Sequence, residues 1–254
     1  MAAERKTSPA AFGIAFAVIS LILIAFVIVN SPGRGAQPGP AVAVAPVEPT
    51  YPAEGSGLEF GVYGLADLVD TKWLAQVSEA TGIPQRALAA YAGAEIAFRD
   101  DLPGCRLDWP TLAGIGYVES RHGTLQGGRV DESGQQSPEI FGIALDGVST
   151  AEVPDTDGGV LDGDEVWDRA VGPLQFIPST WAFMGADGNR DGVKDPQNID
   201  DSALAAARYL CRVGDDLSDP ENWISAVHEY NRSVIYNNAV VDAADRYRSS
   251  AAAR

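Results

Sequence analysis

An apolar run near the N-terminus is the sequence feature that most constrains how the chain can fold. The residues from Ala11 to Val29 (AFGIAFAVISLILIAFVIV) are almost wholly apolar, over about the length that an α-helix needs to span a bilayer core. Arg5 and Lys6 precede the run. Because basic residues favour the cytoplasmic side, residues 1–10 are predicted to be a cytoplasmic tail, and everything after residue 30 is predicted to lie outside the cell membrane.

A cleaved signal peptide is the alternative interpretation of this run. Its apolar region is usually shorter and ends at a cleavage site with small residues. The stretch AVAVA at 41–45 fits such a site but lies well beyond the run, so the length favours an uncleaved, single-pass transmembrane anchor at 11–29. Residues 30–62 are rich in Pro, Gly and Ala and are predicted to be a linker between the membrane and a folded domain.

An extracytoplasmic location predicts that the two cysteines, Cys105 and Cys211, form a disulfide. The bridge would close a loop of about a hundred residues, worth ~4–5 kcal/mol in the chain-entropy model. Together with only two histidines, the cysteines are too few for a zinc site of the usual spacing.

The charge and the motifs exclude several classes of function. A formal net charge of −17 and a pI near 4.3 argue against a nucleic-acid partner, which requires a basic face. The sequence contains no Gly-rich phosphate loop and no GxSxG nucleophile elbow.

Helical periodicity dominates residues 63–248, and no alternating strand pattern of any length appears, so the domain is predicted to be mainly α. Residues 249–254 are predicted to be a tail. The predicted helices run from Thr71 to Thr81 before Gly82, from Pro84 onward, from Trp109 to Gly123, from Pro178 with Ser179 as N-cap, from Asp201 or Ser202 to near Gly214, from Pro220 onward, and through Tyr236 and Tyr247.

One of these helices carries a carboxylate suited to acid catalysis. Leu112, Ile115 and Glu119 share one helix face, so Glu119 extends from an apolar stripe. Desolvation there should raise its pKa, and a carboxyl that is protonated at neutral pH can act as a general acid. The alternative is a capping glutamate or one that is ion-paired with Arg121 or His122. Glu95 is a second candidate for burial, and we interpret it as structural.

The segment between the Glu119 helix and the helix at Pro178 carries Asp155, Asp157, Asp162 and Asp164 among glycines. A loop of this length is usually functional or disordered. Two interpretations remain open: the loop lines one wall of a binding groove, with a cation as its ligand, or it is a solvated acidic loop.

Residues 187–198 follow the start of the calcium-loop pattern D-x-[DN]-x-[DN]-G. The twelfth position is Asn198 instead of a bidentate glutamate, so the pattern predicts weak Ca²⁺ binding at most. The alternative is a run of Asx turns without a metal. The candidate ligands are Asp187, Asn189, Asp191 and the carbonyl of Val193.

Four segments in order, ESRHG, GPLQFIPSTW, DGNRDGVKD and EYNRS, resemble the catalytic domain of lytic murein transglycosylases of the membrane-bound lytic transglycosylase B type. The resemblance covers most of residues 63–248 and implies a lysozyme-like, mostly helical fold with long irregular loops. It differs at Leu174, where the family usually has methionine, and at Asn198. It implies Glu119 as the catalytic acid and base, and as substrate-binding residues Ser120, Gln175, Phe176, Tyr230 and Asn231.

The resemblance implies peptidoglycan glycan strands as the partner and a lyase reaction as the activity. The reaction cleaves the β-1,4 bond between N-acetylmuramic acid and N-acetylglucosamine without water and leaves a 1,6-anhydro end. It requires no cofactor, although the calcium loop leaves Ca²⁺ as a candidate ligand. A hydrolytic muramidase on the same fold and a non-catalytic wall-binding protein are the alternatives.

Overall fold

A computed structural model describes residues 59–253 of the chain. The predicted membrane anchor at 11–29 and most of the predicted linker lie outside these residues. Within the described part, no helix combines the length and the apolar character that crossing a bilayer requires.

The described residues are mainly helical, which confirms the predicted class. A short 3₁₀ helix (Leu65–Leu68) precedes the first α-helix, and a second 3₁₀ turn (Leu125–Gly127) follows the third. The α-helices are α1 (Thr71–Thr81), α2 (Gln85–Asp101), α3 (Trp109–Ser120), α4 (Pro178–Met184), α5 (Ile199–Gly214), α6 (Pro220–Tyr230) and α7 (Val234–Ala252).

Several helix ends follow the predicted signals. Asp70 caps α1 by accepting hydrogen bonds from the backbone N–H groups of Lys72 and Trp73, and Gly82 ends the helix with a left-handed φ of 73°. Asp219 caps α6 in the same way, and Pro220 occupies its first turn.

The predicted start of α4 at Pro178 is confirmed, whereas its predicted N-cap and the predicted start of α5 were wrong. The N-cap of α4 is Ile177, so Ser179 lies inside the first turn and does not cap the helix. The fifth helix, α5, begins earlier than Asp201, because the Asn198 side chain accepts a hydrogen bond from the backbone N–H of Asp200 and caps the helix there.

Two predicted helix ends also differ from the structure. Helix α3 ends at Ser120, where Arg121 takes a left-handed conformation (φ 55°), and not at Gly123, which is left-handed two residues further on. Helix α7 continues through Ser249–Ala252, residues that the sequence suggested as a tail.

Two small antiparallel sheets lie in the long segment between α3 and α4. Strand β1 (Arg129–Val130) pairs with β2 (Gln136–Ser137), and β3 (Phe141–Ala144) pairs with β4 (Arg169–Val171). In the second sheet Phe141 pairs with Val171, which brings β3 next to the turn that follows β4.

Helix α3 lies between α2 and α7, and two of its glycines allow the close approach. A Cβ added at Gly114 would lie 2.9 Å from the carbonyl oxygen of Val240 on α7. A Cβ added at Gly116 would lie 2.1 Å from the hydroxyl of Tyr91 on α2. The sequence therefore uses Gly at both positions so that the central helix can be buried on two sides.

The predicted disulfide between Cys105 and Cys211 is confirmed. It joins the segment before α3 to the last turns of α5. The backbone N–H of Leu217 donates to the carbonyl of Cys105 at 2.7 Å, so the entry to α3 is fixed both covalently and by a hydrogen bond.

Candidate active site

Glu119 lies in the last turn of α3 and is 5% exposed. Its Oε1 accepts a hydrogen bond from the Tyr236 hydroxyl at 2.7 Å. Burial raises the pKa of Glu119 to about 8, and the hydrogen bond from Tyr236 opposes part of that shift. The carboxyl is therefore protonated at neutral pH, as the apolar helix face predicted.

The alternative in which Arg121 or His122 pairs with Glu119 is not what the structure shows. The Cζ of Arg121 lies 3.7 Å from the ring centroid of Tyr117. The ring nitrogens of His122 hydrogen-bond to the hydroxyls of Tyr91 and Tyr247. Burial and two arginines lower the pKa of His122 to about 3, so it is neutral and carries no charge to pair with a carboxylate.

The second oxygen of Glu119 differs from the first. Oε1 accepts the Tyr236 hydroxyl, whereas Oε2 is not one of the buried side-chain atoms that lack a partner. The residue as a whole keeps 5% exposure. A general acid has to deliver its proton to a ligand, so it cannot be completely enclosed.

Tyr236 reaches Glu119 because a short turn joins α6 to α7. Asn231 ends α6, and its Oδ1 accepts a hydrogen bond from the backbone N–H of Ser233. Ser233 then caps α7 through the backbone N–H of Tyr236. Asn231 is 3% exposed, so in this structure it shapes the turn that directs Tyr236 toward Glu119.

Tyr230 lies near Glu119 but uses its hydroxyl elsewhere. Its O–H donates to the carbonyl of Leu174 at 2.9 Å, and its ring packs edge-on against Phe176. Burial raises the pKa of Tyr230, and the charge of Glu119 contributes to the shift, which shows that the two groups are close. Phe176 is buried and also packs on Trp181, so both aromatic rings belong to the core beneath the site.

Ser120 joins the end of α3 to the turn that carries Gln175. Its hydroxyl donates to the carbonyl of Pro173 at 2.6 Å and accepts from the backbone N–H of Gly123 at 2.8 Å. The residue is fully buried. Because its donor and one acceptor position are occupied by backbone groups, Ser120 positions the two segments relative to each other.

Gln175 lies in a tight turn after β4. Val171 and Phe176 exchange two backbone hydrogen bonds across this turn. A Cβ at Gly172 would lie 1.8 Å from the carbonyl of Pro196, so only glycine fits at this φ of 76°. Gln175 itself has a φ of 51°, and its Nε2 donates to the carbonyl of Gly172 at 2.9 Å.

The acidic loop after β3 is held together by its own carboxylates. Asp155 accepts from the backbone N–H groups of Asp157, Gly158 and Gly159. Oxygens of Asp155, Asp157 and Asp168 lie within 4.8 Å of one another. Since hydrogen bonds from the loop already reach all three carboxylates, their closeness is explained without a cation.

In the predicted calcium loop, hydrogen bonds within the loop also occupy most of the side-chain oxygens. Asn189 and Asp191 accept backbone N–H bonds within the loop, whereas Asp187 Oδ1 is buried without a partner. Among the described acidic residues, those of this loop do not converge into a group of three. The Asn198 side chain caps α5, so the twelfth position offers its oxygen to the backbone. Among the candidate side-chain ligands Asp187, Asn189 and Asp191, only Asp187 keeps an oxygen without a hydrogen-bond partner.

The roles of two residues in this region were not predicted from the sequence. Tyr236 was predicted only as part of the last helix, and its hydroxyl is the donor to Glu119. Asp201 was assigned to a helix start, although its Oδ1 accepts from the backbone N–H of Gly188 at 2.6 Å. Burial raises the pKa of Asp201 to about 7. No local signal in the sequence indicates the role of Tyr236, because Glu119 is 117 residues away along the chain.

Comparison of the chain with protein-family models, with curated proteins and with solved structures found no match in any of the three. The function of the chain is therefore inferred from the site itself and from the sequence segments that form it.

Proposed function

We propose that the chain is a peptidoglycan lytic transglycosylase in which Glu119 is the single catalytic acid and base. The observation that carries the proposal is that Glu119 is desolvated, with its pKa raised to about 8, while the residue keeps 5% exposure and its Oε1 is held by Tyr236. The resemblance of the ESRHG, GPLQFIPSTW and EYNRS segments to lytic murein transglycosylases supports the same assignment. We also propose that the helices are arranged as in lysozyme.

In the first step, protonated Glu119 gives its proton to the glycosidic oxygen between N-acetylmuramic acid and N-acetylglucosamine. The bond from the anomeric carbon to that oxygen breaks, and N-acetylglucosamine leaves with a free 4-hydroxyl. The 2-acetamido oxygen of the muramic acid bonds to the anomeric carbon and holds the positive charge. No protein nucleophile is needed, which fits a site with one such carboxylate and not the usual pair.

In the second step, Glu119 is a carboxylate and takes the proton of the 6-hydroxyl of the same sugar. The 6-oxygen attacks the anomeric carbon and displaces the acetamido oxygen. The product is a 1,6-anhydro end, and Glu119 is again protonated. The enzyme is restored without water, a metal or a cofactor.

The residues around Glu119 orient it and the sugar. Tyr236 holds Oε1, so the proton is delivered from Oε2 in a fixed direction. The Oε1 of Gln175 lies 3.2 Å from the position that a Cβ on Gly142 would occupy, which places it beside β3. We assign Gln175 to sugar contact. Ser120, Phe176, Tyr230 and Asn231 act by fixing the segments that carry Glu119, Tyr236 and Gln175.

The rest of the proposal concerns location and metal. Residues 11–29 anchor the enzyme in the cell membrane, with the catalytic domain on the extracytoplasmic side. The confirmed disulfide supports an oxidising compartment. Ca²⁺ binds weakly to the loop that begins at Asp187 and has no part in the chemistry. Calorimetric titration that gives no heat at millimolar Ca²⁺ would contradict the metal assignment alone.

The proposal is tested by product analysis of purified sacculi digested by the wild type, Glu119→Gln and Glu95→Gln. The wild type should release muropeptides with 1,6-anhydro ends. Glu119→Gln should release almost none, because Gln cannot donate the proton. Glu95→Gln is the matched control, since it changes a second buried glutamate of equally raised pKa.

Each alternative gives a different result in the same experiment. Products with reducing ends from the wild type would indicate a hydrolytic muramidase, with water in place of the 6-hydroxyl. Digestion that is unchanged in Glu119→Gln would exclude both enzymatic mechanisms through Glu119. Binding to sacculi without any release by the wild type would indicate a non-catalytic wall-binding protein.

A further inference from the structure

Two arginines lie against one tyrosine ring on the surface of the domain. The Cζ of Arg121 is 3.7 Å and the Cζ of Arg246 is 4.7 Å from the ring centroid of Tyr117. The same carbon of Arg246 is 5.0 Å from the centroid of Tyr247. Because both Cζ atoms lie within 4.7 Å of the same ring centroid, the two guanidinium groups are close to each other. We call Arg121 and Arg246 the arginine pair.

The positive charge of the arginine pair is not compensated by the protein. Within residues 59–253, neither guanidinium has a carboxylate at ion-pair distance, including Asp242 one helical turn before Arg246. Arg248, two residues further along α7, shows the contrast, because it pairs with both Asp108 and Asp245. Two adjacent like charges without a counter-charge repel each other, and a bound anion would relieve that repulsion.

One donor of the pair is also left without an acceptor. Arg121 Nη1 is buried and has no hydrogen-bond partner. A buried donor on a charged group is costly when it is unpaired. An oxyanion at the surface would bind the other guanidinium nitrogens of the pair, because the planar forks match the geometry of a carboxylate or a phosphate.

The arginine pair lies away from the catalytic carboxyl. Tyr117 precedes Glu119 by two residues, which is about 200° around an α-helix, so their side chains leave α3 on opposite sides. His122 and Tyr247, which pack around Tyr117, are not among the residues that approach Glu119. A ligand on the arginine pair is therefore separate from the sugar whose bond is cleaved.

We propose that Arg121 and Arg246 form a second binding site that takes an oxyanion group, a carboxylate or a phosphate, on a cell-wall polymer. The anion is bound by these guanidinium groups beside Tyr117. A chain with a net charge of −17 is repelled by an anionic polymer, so a local cationic contact is needed to hold it there. The identity of the polymer depends on the proposed function, whereas the binding of an oxyanion does not.

The test is calorimetric titration of the full-length chain, purified in mild detergent, at constant ionic strength. All proteins carry Glu119→Gln, so that glycan is bound but not cleaved. The probes are inorganic phosphate, a disaccharide tetrapeptide, which has carboxylates only, and poly(glycerol phosphate), which has phosphates only. The variants are Arg246→Gln and Arg121→Lys, and the control is Arg212→Gln, which removes an exposed arginine from the last turn of α5.

We expect saturable binding of at least one probe, weakened at least tenfold by Arg246→Gln and unchanged by Arg212→Gln. Arg121→Lys keeps the charge but loses the fork, so it should weaken binding less than Arg246→Gln does. The stronger of the two polymer probes identifies the source of the anion. The proposal is overturned if no probe binds, or if Arg246→Gln and Arg212→Gln have equal effects. Because turnover is not measured, this result is independent of whether the wild type is a transglycosylase.

Discussion

A buried glutamate lies at each end of α3, and only one of the two is suited to acid catalysis. Glu95 from α2 accepts a hydrogen bond from the backbone N–H of Trp109, the first residue of α3, at 2.7 Å. Glu119 lies in the last turn and accepts from Tyr236. Desolvation raises the pKa of each carboxyl to about 8.

The comparison shows that a raised pKa does not by itself identify a catalytic acid. Glu95 is 1% exposed and its Oε1 is buried without a partner, whereas Glu119 is 5% exposed and its Oε2 is not one of the buried atoms that lack a partner. Glu95 binds an orphan N–H at a helix N-terminus, the place where a carboxylate is structurally useful. The surroundings of the second oxygen separate the two roles, and each prediction below tests that separation.

The largest expected effect is on the reaction rate of Glu119→Gln. General acid catalysis contributes about 10²–10⁴-fold, so the rate of release of anhydro-muropeptides should fall by that factor. Glu95→Gln should stay within about threefold of the wild type, since it touches no accessible atom. The comparison fails if the two substitutions reduce the initial rate equally while both proteins retain native circular dichroism.

The next effect is on stability at the Glu95 end of α3. Cys105→Ser removes the disulfide that holds the segment before Trp109 to α5. Loss of a native disulfide typically costs about 2–5 kcal/mol of unfolding free energy, which denaturant titration measures. The double variant with Cys211→Ser should lose no more than the single one. The rate per folded molecule should change little, because Glu119 lies at the other end of α3.

Much of the helical framework could be predicted from the sequence, because its signals are local. Asp70 and Gly82 bound α1 by cap chemistry that depends only on neighbouring residues. The predicted position of Glu119 on an apolar face was also correct, since helical periodicity determines which residues share a face.

The unpredicted parts depend on contacts distant in sequence. The donor to Glu119 is Tyr236, 117 residues away, and no local pattern distinguishes its hydroxyl from that of Tyr230. The early start of α5 has a similar cause, because the Nδ2 of Asn198 donates to the carbonyl of Ser133 while its Oδ1 caps the helix. The end of α3 at Arg121 requires a left-handed arginine, which propensity alone disfavours.

The third prediction concerns the pH dependence of stability, to which Glu95 and Glu119 should contribute in the same way. Each has a folded-state pKa of about 8 and an ordinary value of 4.5, so the folded protein holds extra protons between these pH values. The contribution of these two carboxyls to the free energy of unfolding should therefore be complete below pH 4.5 and be lost progressively as pH rises to about 8, with a slope that corresponds to one bound proton for each carboxyl. The side chain in Glu95→Gln cannot ionise, so this substitution should remove the contribution of one carboxyl to the pH dependence of stability.

Denaturant titrations from pH 5 to 8 measure this effect. Glu95→Gln should become more stable relative to the wild type as pH rises, and Glu119→Gln should do the same. The two variants would thus match in stability and differ in catalysis. A wild-type slope that neither substitution changes would show that neither carboxyl is protonated in the folded protein.

The smallest effect concerns the hydroxyl that holds Glu119. Glu119 must be protonated to act as an acid, so the rate should fall as pH rises through about 8. The Tyr236 hydrogen bond lowers this pKa, so Tyr236→Phe should move the fall to higher pH and reduce the maximal rate about tenfold, as loss of one hydrogen bond to a charged group predicts.

Tyr230→Phe is the control. Because the Tyr230 hydroxyl donates to the Leu174 carbonyl, the substitution should cost about 1–3 kcal/mol of stability and leave the alkaline pH limit in place. If Tyr236→Phe left the limit in place, as Tyr230→Phe should, the hydrogen bond to Glu119 would be irrelevant to its protonation, and burial would set the pKa of this carboxyl without help from Tyr236.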